Sequence, residues 1–399
     1  MKIAFIAISY IPQRDGVSIY IENLLFELFR EMCTQGKQRS FLIDIYVCRE
    51  SAALLESFIN EALLDIGITV TSETLLRFTV SPDHRGLKYL WAAYGIWRRA
   101  PYECVVMPNM QPLAFVPNPK LSVLHDLTYK VIPNYLPYKR YLYLDLLTRY
   151  HLLRNAAVAC ISEATKLDLN RCYPGSMRKT SPHLPNGLPL NLVDISRSSL
   201  SKVEERLSGA TGLDLVFVGR INYLKGFDRV LEVCSVLDSR LRESRIESVT
   251  VHVVGKQTPD SQELLASETF QHVKLNICGY VSRDRLHALY ANSAYCLFLS
   301  RNEGFGLPVI EALWGGCVPI LSDIPIFREV MGPGFPLFYG SGSGGDAVVD
   351  CMLKVRSDPQ YRSEILTMME SALECHRDGY QRAARTLLAW IESTQIRSH

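Results

Sequence analysis

Long apolar runs are missing from this sequence. Nowhere do eighteen apolar residues follow one another, so no membrane-spanning helix is expected. The opening stretch MKIAFIAISYIPQRDG is apolar over too short a span, is broken by Pro12, Arg14 and Asp15, and lacks a small-residue cleavage site, so it does not read as a signal segment. Zinc spacing is also missing: there is no Cys-x-x-Cys and no Cys/His cluster. The eleven cysteines are odd in number, and several sit in apolar runs, as Cys160 does in AAVACIS and Cys296 in AYCLFLS. They read as reduced, mostly buried thiols of a cytoplasmic protein. There is little net charge, +2 from 43 basic and 41 acidic side chains, which argues against nucleic acid as a partner. Solenoid repeats and low-complexity tracts are absent as well.

What is present is enough apolar material, 48% of 399 residues, for two separate cores. The first half alternates short β-rich runs with helical patterns. Strands are expected at Ile3–Ser9, Leu42–Cys48, Tyr102–Met107, Leu121–His125 and Ala157–Ser162. Helices are expected at Ser18–Met32 and Leu142–Leu153. SPHLPNGLPLN (Ser181–Asn191) breaks the rhythm. It then restarts with strands at Leu213–Gly219, Ser248–Gly255, His272–Leu275, Tyr295–Ser300 and Val318–Ser322. Helices at Phe227–Leu237, Asp284–Asn292 and Pro308–Trp314 alternate with them. This predicts an α/β chain of two Rossmann-like, doubly wound parallel-sheet domains, with ligands at the carboxyl ends of the strands, in a cleft. The expected division is a domain over 1–188, a linker over 189–211, a second domain over 212–380, and a C-terminal helix over 381–399 that crosses back to the first.

The most specific segment is RNEGFGLPVIEALWGGCVP (Arg301–Pro319). A strand ends at Ser300, a glycine turn follows, and Pro308 opens a helix where its missing N–H costs nothing. Gly315-Gly316 ends that helix. The N–H groups around Gly304, Phe305, Gly306 and Leu307 then stand at the positive end of a helix, suited to phosphate or sugar oxygens. Glu303 and Glu311 bracket the turn, and each carboxylate could accept hydrogen bonds from a vicinal diol, one of a hexose and one of a ribose. In VFVGRINYLKGFDR (Val216–Arg229), Arg220 and Lys225 follow a strand and could neutralise a diphosphate. Weaker signals are the turn Tyr10–Val17, where Gly16 would let backbone approach a phosphate, His125-Asp126 at a strand end, Ser162-Glu163, and Asn186-Gly187. A plain turn, a helix cap or a packed histidine is an ordinary alternative for each of these.

These residues resemble the retaining GT-B glycosyltransferases of family 4. The family's Glu-x7-Glu motif is matched by Glu303 and Glu311, its Gly-Arg…Lys-Gly turn by Gly219-Arg220 and Lys225-Gly226, its Pro-Asn-Gly by Pro185-Asn186-Gly187, and its His-Asp strand end by His125-Asp126. With Pro133 and the basic, tyrosine-rich stretch that follows it, the pattern is similar to mannosyl- and rhamnosyltransferases of bacterial surface-polysaccharide (lipopolysaccharide) synthesis. The resemblance implies a nucleotide-diphosphate sugar as donor, GDP-mannose preferred, and a glycan or polyprenyl- or lipid-linked acceptor. It implies that Arg220 and Lys225 bind the diphosphate, Glu311 the ribose and Glu303 the sugar, with His125 near the reacting centre. Backbone at Gly16 and at Phe305–Leu307 would contact phosphate or sugar. The chain departs from the family's paired glycines by carrying Asp15 before Gly16, a carboxylate that would repel a diphosphate unless turned away. No Asp-x-Asp occurs, a pair that holds the metal in many sugar transferases, so no metal and no resident cofactor are expected. A nucleotide-sugar epimerase of the same fold, and a non-catalytic partner subunit, are the alternatives.

One stretch is strongly basic. From Arg85 to Lys179 there are fourteen Lys/Arg against five Asp/Glu. Within it, Gly86–Ala100 and Tyr135–Tyr150 interleave aromatic and basic residues as interfacial segments do. A solvated basic face is the plain reading; an anionic membrane surface at the inner face of the cytoplasmic membrane is the functional one.

Overall fold

In the computed structural model of the protein the described residues are 1–13, 15–34, 41–67, 74–81, 87–113, 116, 119–175, 182–193, 200–208, 211–241, 246–259, 261–266, 269–340 and 344–396. Arg14, Arg85, Gly86, Arg178, Lys179 and Ser181, and residues 194–199 and 209–210 of the expected linker, lie outside them. The chain forms two compact units: Met1–Leu190 together with Asp378–His399, and Asn191–Arg377.

In the first unit β1 (Lys2–Ile6), α1 (Gly16–Thr34), β2 (Phe41–Cys48), α2 (Arg49–Asp65), β3 (Thr74–Ser81), α3 (Leu87–Arg99), β4 (Cys104–Met107), β5 (Lys120–Leu124), α4 (Thr128–Val131), α5 (Tyr138–Arg154), β6 (Ala157–Cys160) and α6 (Glu163–Cys172) follow in order. After α7 (Leu190–Val193) the second unit carries α8 (Leu200–Ser208), β7 (Gly212–Val218), α9 (Phe227–Arg240), β8 (Ser248–Val254), α10 (Ser261–Ala266), β9 (Val273–Gly279), α11 (Arg283–Asn292), β10 (Tyr295–Phe298), α12 (Leu307–Trp314), β11 (Val318–Ser322), α13 (Pro325–Met331), β12 (Phe338–Tyr339), α14 (Gly344–Ser357) and α15 (Pro359–His376). The last helix, α16 (Gly379–Ile396), belongs to the first unit and packs on α1.

The first sheet runs β3-β2-β1-β4-β5-β6 and the second β12-β11-β10-β7-β8-β9. Numbered within its own unit, each is 3-2-1-4-5-6, the doubly wound dinucleotide-binding order. All the strand pairs are parallel. The central strands are apolar along their whole length because helices cover both faces: β1, β4, β6, β10 and β11 are buried almost without interruption.

Several elements were not anticipated. The strand β3 is masked in sequence by Arg77, which sits opposite Asp44 of β2 and pairs with it across the strands. The Tyr102 hydroxyl donates to the same carboxylate. Arg77, whose side chain is exposed, puts a charge in the middle of TLLRFTVS and so interrupts the apolar run that would reveal the strand. The Pro/Asn/Gly-rich stretch leading into the expected linker is also more structured. Leu184, Asn186 and Leu188 are buried, and Leu184 N–H bonds to the Cys160 carbonyl at 3.0 Å. Gly187 lies against the start of α16: a Cβ there would sit 2.7 Å from the Tyr380 nitrogen, and one on Gly379 would sit 2.1 Å from the Asn186 carbonyl oxygen. Pro-Asn-Gly is therefore a close backbone contact inside the first unit. Beyond it, α8 is a helix whose Arg206 donates to the Gly316 carbonyl at 2.7 Å.

Candidate active site

In the second unit, β7, β8 and β9 all reach the carboxyl edge with a glycine at positive φ: Gly219 (+155°), Gly255 (+137°) and Gly279 (+64°). Gly219 N–H bonds to Val254 O and Gly255 N–H to Gly279 O. A Cβ on Gly255 would stand 2.0 Å from the Gly219 oxygen, so the side-chain-free edge is a packing requirement. The recurrence of glycine directly behind three apolar strands, in VFVG, HVVG and NICG, is a signal for this edge that the sequence reading missed.

After Gly219 the chain turns into α9. The Asn222 carboxamide oxygen accepts the Lys225 N–H at 2.9 Å, and Gly226, at φ +69°, starts the helix. No other residue fits there, because a Cβ would fall 1.9 Å from the Leu299 carbonyl oxygen. The turn is thus pressed against the end of β10. Arg301 clamps it further: its N–H bonds to Leu224 O at 2.8 Å, and its guanidinium pairs with Asp228 through two contacts of 2.6 and 2.7 Å. Asn222, Arg301 and Asp228 were missed in the sequence because each is an ordinary polar residue until the two turns meet.

The consequence is that Lys225 and Glu303, 78 residues apart, form an ion pair with Nζ 2.5 Å from Oε1. Both side chains are largely sheltered, at 26% and 13% exposure. Arg220 is exposed and is not part of this pair.

Behind Glu303, Gly306 at φ +88° opens α12 with Pro308 in its first turn. The Phe305 ring is buried and meets His376 edge-on, with centroids 5.4 Å apart. Among the described residues no acceptor takes the N–H of Phe305, Gly306 or Leu307. Donors without partners at a helix start, beside a lysine, are chemically suited to an anion. Glu311 lies one turn further along α12. Burial raises its carboxyl above the usual carboxylate range, against the Arg283 guanidinium and the Tyr290 hydroxyl, which lower it. Neither Arg283 nor Tyr290 was singled out from the sequence; both lie on α11, and only the packing of that helix brings them to Glu311.

The remaining residues lie in the first unit. Gly16 is the first residue of α1, and Asp15 caps that helix: its Oδ1 accepts both the Ser18 N–H and the Ser18 hydroxyl at 2.9 Å. The carboxylate expected to repel an anion is therefore occupied by its own helix. His125 Nε2 donates to the Pro108 carbonyl at 2.7 Å, which fixes the neutral tautomer and leaves Nδ1 as the acceptor. Its ring meets Tyr20 edge-on, centroids 4.9 Å apart. Burial lowers the imidazole pKa, partly offset by the Pro108 carbonyl, Asp126 and Asp15. Asp126 accepts the Thr128 N–H at 2.8 Å, and Ser162 caps α6 through Thr165 N–H at 3.0 Å. Glu163 is bound to Lys166 at 3.1 Å. Ser162 and Glu163 thus have local structural duties.

Against this geometry, residues 202–365 match the family model described as Glycosyl transferases group 1. A stretch of 125 residues is 31% identical to a GDP-mannose:cellobiosyl-diphosphopolyprenol alpha-mannosyltransferase of Xanthomonas oryzae pv. oryzae, covering 30% of this chain and 31% of that protein. The match therefore spans under a third of that relative's length. Among solved structures, sucrose-phosphate synthase from Thermosynechococcus elongatus superposes with a TM-score of 0.67 at 15% identity, over 99% of this chain and 100% of that one. HepE of Anabaena, solved with UDP and glucose, gives 0.64 at 15% identity over 98% and 100%. With its two parallel six-stranded sheets the chain has the GT-B fold, and its residues 202–365 are similar to the group 1 glycosyl transferases.

Proposed function

We propose that this chain is a retaining glycosyltransferase of bacterial surface-polysaccharide synthesis that takes a hexose from a nucleotide-diphosphate sugar and gives it to a glycan or lipid-linked acceptor. The observation that carries the reading is the Lys225–Glu303 pair set beside the free N–H groups that open α12. A cation, a carboxylate and three unpartnered amides within one pair of turns can address a phosphate and a sugar hydroxyl at once. On donor binding, Lys225, Arg220 and the amides of Gly304–Leu307 meet the diphosphate, Glu303 accepts from the sugar hydroxyls, and Glu311 accepts from the ribose. The sugar C1–O bond to the diphosphate breaks and the acceptor oxygen bonds to C1 on the same face. The acceptor's proton leaves with the diphosphate. Stabilising that leaving group is the main catalytic contribution. His125, neutral and with Nδ1 free to accept, is the first unit's proposed contribution to the reacting centre, and backbone at Gly16 is proposed to approach the donor.

GDP-mannose is the preferred donor, supported by the name of the Xanthomonas relative; HepE, solved with UDP, keeps uridine donors in the screen. No metal or resident cofactor is proposed, since fixed cations and amide dipoles would meet the charge. The test is a thermal-shift screen with GDP-, UDP- and dTDP-sugars followed by transfer assays before and after chelation. A donor that binds only the native state raises the melting temperature. A shift with one donor, transfer that survives chelation, and loss of transfer in Lys225→Ala are expected. No shift with any donor would overturn the reading.

A further inference from the structure

The helix α3 is apolar on two sides. Ala92 and Ile96 enter the core of the first unit. On the opposite side Leu87, Leu90, Tyr94 and Trp97 recur at helical spacing and are 54%, 65%, 58% and 66% exposed. An amphipathic surface helix normally turns polar residues outward, so a second apolar stripe needs a partner. The helix α5 behaves alike. It buries Asp145, Thr148 and His151, where Asp145 is consumed by Lys130, Arg149 and Tyr173, and turns Leu142, Tyr143, Leu146 and Leu153 outward.

The two stripes share one surface. Both helices are crossovers that run toward the β6 edge of a parallel sheet, β3 to β4 and β5 to β6, and right-handed connections of the same direction lie on the same face. The Tyr89 phenol of α3 is pushed up to about 12 by burial, with Tyr143 of α5 adding to the shift, as close neighbours do. Charge decides the partner. α3 contains no acidic residue, and the acid of α5 is buried, while Arg98, Lys139, Arg140 and Arg154 are exposed. Among the described residues no helix is long and apolar enough to cross a membrane, so contact with lipid would be from the side.

We propose that the α3–α5 face lies in the headgroup layer of an anionic bilayer, with Leu87, Leu90, Tyr94 and Trp97 inserted among the acyl boundary and Arg98, Lys139, Arg140 and Arg154 on lipid phosphates. This deepens the lipid-linked acceptor of the proposed function, but it is read without donor or transfer, so the two can fail separately. The experiment is sedimentation of the full chain with phosphatidylcholine vesicles, with and without phosphatidylglycerol, at low and high salt. Binding to the anionic vesicles only, reversed by salt, is expected. Arg98→Gln should weaken binding about fivefold. Leu90→Glu with Trp97→Glu should weaken it by more than about tenfold while leaving the melting temperature and transfer to a soluble acceptor as they were, since both side chains face outward. Wild-type fluorescence should blue-shift on binding, and Trp97→Phe should remove that shift. Equal binding to neutral vesicles, or unchanged binding of the double variant, overturns the proposal. So does a soluble dimer that the double variant dissociates, because the face would then belong to a second copy of the chain.

Discussion

The two sheets share a strand order but finish their carboxyl ends differently. In the second unit three consecutive strands end in glycines, and the turn after β10 leaves the N–H groups of Phe305, Gly306 and Leu307 without acceptors among the described residues. In the first unit the corresponding places are filled from within. Asp15 caps α1, Gln111 donates to Ile6 O at 3.0 Å and to Ser9 Oγ at 3.1 Å, and Tyr10 bonds to Glu22 at 2.5 Å. Topology provides a ligand position in both units. The side chains of each turn decide whether that position is already satisfied, and the contrast is why anion binding is proposed for the second unit.

The largest expected effect tests that assignment. Lys225→Ala should lower transfer by about 10²–10³-fold, the usual cost of removing one preorganised charge at a leaving group. Glu303→Gln should also lower transfer, yet bind free nucleoside diphosphate more tightly, because Lys225 no longer has a carboxylate to release. Calorimetry on the two variants separates these outcomes. Near-normal turnover in Lys225→Ala would move the anion site elsewhere.

The edge itself comes next. Gly255→Ala places a Cβ 2.0 Å from the Gly219 oxygen at φ +137° and should destabilise the protein by about 3–5 kcal/mol. Gly67→Ala, at φ +72° in the first unit with open space around it, should cost only about 1 kcal/mol. Denaturant melts of the pair measure how much of the cost is close approach. Equal costs would mean that the glycine edge is not under steric demand.

Much of this contrast was legible in the sequence where local chemistry decides structure. Gly-Phe-Gly-Leu-Pro announces an uncapped helix start, and apolar runs followed by turns gave both parallel sheets. What stayed hidden depends on partners distant in sequence. β3 was concealed by Arg77, whose charge is met by Asp44. The pairing of Lys225 with Glu303 needs two turns to be pressed together by Gly226 and Arg301. The second apolar face of α3 read as an interfacial segment, but only packing shows that its other face is core.

The packed interior of the first unit should lose stability in acid. His151 is buried, with Nε2 donating to Gln111 O and Nδ1 accepting from Asn155, both at 2.9 Å. This network holds a neutral ring, and burial lowers the imidazole to about 4. The unfolded chain takes up the proton near pH 6.5 and the folded one does not, so stability is complete above pH 6.5 and falls as pH drops toward 4. The loss is about 3 kcal/mol. Melting curves of the wild type should slope through that window, and those of His151→Gln should be flatter there. Equal slopes would remove His151 from the account.

Asp15→Ala should give the smallest effect, and it bears most directly on the difference between the two units. If Asp15 serves only α1, its loss strands the Ser18 N–H and weakens the helix start by about 1 kcal/mol, lowering the melting temperature by about 2–4 °C. Donor affinity should change little, because the carboxylate is already held at 2.9 Å by the Ser18 N–H and hydroxyl. Thermal melts with and without nucleotide sugar read both quantities in one series. A variant that melts as the wild type does but binds donor tenfold tighter would show that this carboxylate acts on the anion, and that the first unit's turn is less closed than its hydrogen bonds imply.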